Sequence, residues 1–140
     1  MKSMIYALMA IMMIATIAPT TATDQNMLAV TTENSLLDNS GGSSIKTCTV
    51  DLSSGDVIIT VGSSASTPNQ AYLDIYAITG TYINLIQNYP EFGDLMIYYS
   101  NLDGMRDRQF TCSKVWANSA QITEVGIKEV TNVVMSTMSV

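Results

Sequence analysis

The sequence predicts an α+β domain: a small antiparallel or mixed sheet, with elements in the order β-β-α-β-β plus a C-terminal strand, covered on one face by one long helix. Three observations carry this. Two apolar, β-branched runs meet at a glycine turn; a capped segment from Pro68 to Tyr89 repeats apolar residues at spacings of three and four; a second pair of runs flanks another turn.

The chain opens with "MKSMIYALMAIMMIATIAPTTATDQ". Lys2 is its only charge before Asp24, an apolar run extends from Met4 to Ala18, and small residues follow Pro19. That is the layout of a secretory signal peptide with its cut after Ala22, where Thr20 and Ala22 occupy the two small positions. The apolar run falls short of the roughly 20 residues needed to span a bilayer. Residues 1–22 are therefore expected to be removed, leaving a secreted or cell-surface protein with no membrane span. Residues 23–44, rich in Ser, Thr, Asn and Gly and ending in "DNSGGSS", read as a flexible leader with too little apolar surface to offset chain entropy. Within it, "NMLAVTT" could add a strand to the sheet edge of a neighbouring copy. Residues 45–140 then form a single α+β domain.

In that domain "IKTCTVDL" alternates, with Cys48, Val50 and Leu52 on one face, and Gly55 supplies the turn to "DVIITVG", apolar on nearly both faces as a central strand should be. Thr67, Pro68 and Gln70 form a helix start: a capping side chain, a proline at the first helical position and a capping-box partner. The helix carries Ala71, Ile75, Ile78, Tyr82, Ile86 and Tyr89 on one face, with Asp74, Thr81, Asn84 and Asn88 opposite. Pro90 ends it, because the residue before a proline is pushed out of helical geometry. "DLMIYYS" and "RDRQFTCSKVW", separated by "NLDG", form a hairpin with Phe110, Cys112 and Trp116 on one face. In "NSAQITEVGIKEVTNVVMSTMSV" the Val, Ile and Thr of the last half favour a strand over a second helix.

Composition narrows the chemistry. The formal net charge is −6 with no histidine. Beyond the signal segment only Lys46, Arg106, Arg108, Lys114 and Lys128 oppose twelve acidic residues, so a nucleic-acid partner is not expected. Without imidazole a Ser-His or Cys-His nucleophile is excluded, and two cysteines far apart in sequence lack zinc spacing, so no metal or cofactor is expected. Glu91 with Asp94, and Asn101 with Asp103, flank turns but do not match a calcium loop. The sequence points to a non-enzyme, the remaining catalytic option being a hydrolase that uses carboxylates alone.

Two features are left to explain. Cys48 and Cys112, one in each of two apolar strand faces of an exported chain, are expected to form a disulfide. Tyr72, Tyr76, Tyr98 and Tyr99, in the helix and the following strand, form a candidate binding face, since amphipathic rings suit interfaces. The leading expectation is an acidic, secreted, non-enzymatic domain acting through protein contacts or self-association at or outside the cell surface. The alternative is a small-ligand-binding extracellular protein with a pocket between the tyrosine-rich helix and the sheet.

Overall fold

The computed structural model describes residues 22–101 and 107–140. The segment read as a signal peptide lies outside the described residues up to residue 21, as does most of the "NLDG" turn. Helix α1 (Ala22–Leu37) leads through a single 3-10 turn (Asn39–Gly41) into strands β1 (Ile45–Asp51) and β2 (Val57–Ser63). Helix α2 (Pro68–Asn88) crosses to β3 (Leu95–Asn101), which is followed by β4 (Arg108–Cys112) and two helices, α3 (Lys114–Asn118) and α4 (Glu124–Ser136).

The α+β class holds; the expected β-β-α-β-β run is present, but a helix precedes it and two helices, not a strand, follow it. The strands form one mixed sheet in the order β1-β2-β3-β4, antiparallel between β1 and β2, parallel between β2 and β3, and antiparallel between β3 and β4. The glycine turn between β1 and β2 is present, with Gly55 at a φ of 94°. Helix α2 starts where its cap predicts: the Gln70 N–H donates to Thr67 Oγ1 at 3.2 Å, and Gln70 Oε1 accepts the Ser66 N–H at 2.7 Å. One sheet face, including Val50, Ile59, Ile97 and Phe110 in a single cross-strand row, is buried in the core. The opposite face leaves Thr49, Thr60, Tyr98 and Gln109, also one row, in solvent.

Several expectations are corrected. Residues 23–37 are helical rather than a flexible leader. Leu28, Ala29, Thr32 and Leu36 fall on one face of α1 and are buried, and α1 packs on β1. That face is too short and too mixed with threonine to stand out by composition. Because Met27–Thr32 lie inside α1, "NMLAVTT" is not a free strand for a neighbouring copy.

The C-terminal segment is helix α4 rather than a strand. Its Ile127, Val130, Thr131 and Val134 are buried at helical spacing, Thr123 caps it by accepting the Gly126 N–H at 3.1 Å, and Glu124 pairs with Lys128 one turn on. Packing against α2 overrides the β propensity of its valines. Only Ser139 keeps a strand-like role, exchanging two backbone hydrogen bonds with Gln109 at 2.8 and 2.9 Å on the outer edge of β4.

One long helix does not cover the sheet alone. Helix α2 is itself wrapped by α3, α4 and α1, so that Asp74, Thr81 and Asn84, on its polar side, are buried as well. Strand β4 also stops sooner than expected. Ser113 caps α3 through the Val115 N–H, and Trp116 is 40 % exposed rather than packed in the core.

Finally, Cys48 and Cys112 are free thiols. Both sit on the core face, but on opposite edge strands with β2 and β3 between them. Three inter-strand steps of about 4.8 Å separate them, far beyond the roughly 7 Å Cα limit of a disulfide.

Candidate functional site

Strands β2 and β3 are parallel, so their carboxyl ends, Ser63 and Asn101, lie side by side where the chain leaves β2 for α2. A crevice opens beyond these carboxyl ends, between the sheet and α2. Here the crevice is a cavity of about 300 Å³. Ala71 and Ile75 of α2 form one wall, Tyr99 and Phe110 of the sheet another, and Met135 and Met138 approach from the C-terminal end. The two rings meet edge to face, with centroids 6.2 Å apart and planes at 89°. Ser66, Asn101 and Arg108 supply polar groups around this mostly apolar interior. Asn101 also ties down the β2–α2 connection by donating to the Ala65 carbonyl oxygen.

Tyr99 is held from behind. Asp74, fully buried, accepts hydrogen bonds from the Tyr99 hydroxyl at 2.6 Å, from Ser63 Oγ at 2.5 Å and from the Ser44 N–H at 2.5 Å. Ser63 Oγ in turn accepts the Ala65 N–H at 3.0 Å. A buried carboxylate is tolerable only when its lone pairs are met, and three donors from three different segments meet them here. Burial, and then the hydrogen bond to Asp74, push the Tyr99 phenol well above its ordinary value. The ring is therefore a neutral, positioned wall of the cavity.

The four tyrosines expected to share a binding face do not. Tyr98 and Tyr99 are neighbours on a strand and so point to opposite sides of the sheet; Tyr98 is exposed and Tyr99 buried. Tyr76 is buried, and its phenol is lifted to about 12, first by burial and then by Glu124. Tyr72 is half-buried, its phenol raised by burial against the opposing effect of Lys128. Only Tyr99 lines the cavity. Sequence reading missed Asp74, Ser63, Arg108 and the two C-terminal methionines, because each joins the site through the strand order or the terminal helix.

Neither cysteine supplies an activated thiol to the cavity. Cys48 and Cys112 lie outside the cavity, and burial raises both thiols to about 12, leaving them protonated near neutral pH. Among the described residues no group of three or more Cys, Asp or Glu side chains is arranged to hold a metal ion. What the arrangement can do is enclose an apolar group against two rings and two thioethers while a polar rim orients it. Comparison with protein-family models, with curated proteins and with solved structures finds no match to the chain.

Proposed function

We propose that this chain is a secreted, non-enzymatic binding domain whose ligand is a small, largely apolar molecule held between α2 and the sheet. One observation carries the reading: the apolar cavity at the carboxyl ends of β2 and β3, with Tyr99 fixed in its wall by Asp74. Secretion is supported by the charged start, apolar run and small residues of positions 1–22. No helix among the described residues is long and apolar enough to cross a membrane.

The test is a titration with a neutral fluorescent hydrophobe such as 1-aminoanthracene. Saturable binding is expected for the natural sequence, with at least a tenfold loss in Ala71→Phe, which fills the cavity from the α2 wall. Equal binding by both proteins, or none by either, overturns the reading.

Contact with a protein partner, the leading expectation from the sequence, is a second reading, for which the exposed Val115 of α3 and Val125 of α4 are the side chains to test. It predicts that native secreted material elutes larger than a monomer and that Val115→Asp with Val125→Asp returns it to monomer size.

A further inference from the structure

The exposed face of the sheet carries a second cleft, of about 380 Å³, at the end opposite the apolar cavity. Its walls are Ile58, Met96, Tyr98 and Trp116, and it also holds two carboxylates, Asp56 and Asp94. We propose that this cleft binds an alkylammonium cation, with the two carboxylates accepting its N–H groups and the two rings lying against its charge-bearing carbons.

Both acids are exposed to solvent, but each is held in orientation by a backbone hydrogen bond. Asp56 Oδ1 accepts the Asp94 N–H at 3.0 Å, and Asp94 Oδ1 accepts the Lys114 N–H at 2.8 Å. The Asp56 carboxylate lies directly over Gly93, where a Cβ would stand 2.1 Å from its Oδ1, so the close approach depends on that glycine. Each carboxylate thus has one oxygen engaged by backbone, which orients the group. No basic side chain lines the cleft, and among the described residues neither acid has an ion-pair partner. Lys114, whose N–H holds Asp94, directs its own ammonium group to the Pro90 carbonyl oxygen.

The rings are equally uncommitted. Tyr98 and Trp116 are each 40 % exposed, and neither packs against another aromatic ring among the described residues. Exposed aromatic faces beside unpaired carboxylates form a surface complementary to an organic cation, because ring quadrupole and carboxylate attract the same charge. A neutral hydrophobe would satisfy the rings and leave the acids unused; an inorganic cation would do the reverse. The alkylammonium group uses both, and its source is either a free amine or a lysine side chain.

The experiment titrates the full chain with n-hexylammonium, with Nα-acetyl-lysine amide and with 1-hexanol, following backbone amide shifts by NMR. The expected result is saturable binding of an amine with shifts at Asp56, Asp94 and Trp116, at least tenfold tighter than hexanol. Asp56→Asn with Asp94→Asn, which keeps both backbone hydrogen bonds through Asn Oδ1, should lose at least tenfold. Glu33→Gln with Glu129→Gln, an equal charge change elsewhere, should not. Tighter binding of the lysine derivative assigns the source to a side chain, and tighter hexylammonium assigns it to a free amine. Hexanol binding as well as the amines, an unaffected Asp56/Asp94 variant, or no binding overturns the proposal.

Discussion

A carboxylate on the polar side of an amphipathic helix is ordinarily solvated, yet Asp74 is fully buried, because Ser44, Ser63 and Tyr99 bring donors from three other segments. Removing one donor strands part of that charge. Tyr99→Phe keeps the ring and deletes one hydrogen bond to a charged acceptor, which costs about 1.5–3 kcal/mol. Urea denaturation should show that loss, and a change below about 0.5 kcal/mol would mean that the bond contributes nothing to stability. Tyr99 was legible in the sequence as a residue of interest; its inward direction was not. The alternation of Tyr98 and Tyr99 shows only that the two face opposite sides, and which side is core depends on where the helices pack.

At the scale of elements, local signals and tertiary packing divide cleanly. Thr67-Pro68-x-Gln70 marks the start of α2 and Pro90 lies just past its end, because capping and proline sterics act within about four residues. Helix α1 is held by tertiary contacts, with Leu28 and Leu36 buried against the sheet. Leu28→Ala should therefore cost about 2–5 kcal/mol, as a cavity in a packed core does. Hydrogen exchange should show protected amides across α1 in the natural sequence and weakened protection in the variant. Freely exchanging α1 amides in both would return this segment to a flexible leader. The helix at Glu124–Ser136 was legible in part, since Thr123 and the buried spacing of Ile127, Val130, Thr131 and Val134 are helical signals. The density of β-branched residues outweighs them until α2 is in place to pack against.

In the whole molecule the strand order β1-β2-β3-β4 puts the two cysteines on opposite edges, and a common core keeps both thiols and several phenols neutral. Cys48 and Cys112 are raised from 9.0 to about 12, Tyr76 reaches about 12, and Tyr82 and Tyr99 lie higher still, each chiefly through burial. Raised folded-state values mean that the unfolded chain releases these protons first as pH rises. The stabilisation is complete below the ordinary thiol value of 9.0 and is lost progressively above it. Urea midpoints between pH 8 and pH 11 should fall with pH, and equally so with and without reductant. A flat profile, or a midpoint lowered by reductant at pH 8, would contradict the buried free thiols. By itself the sequence determined the α+β class, the cap of α2, the proline that ends it and the absence of histidine, all of which rest on residue type or short-range spacing. Only the tertiary structure decided the strand order, the separation of the cysteines, the burial of Asp74 and the cavity beside Tyr99. Those depend on which distant segments share hydrogen bonds and apolar surface, and no spacing along the chain encodes that.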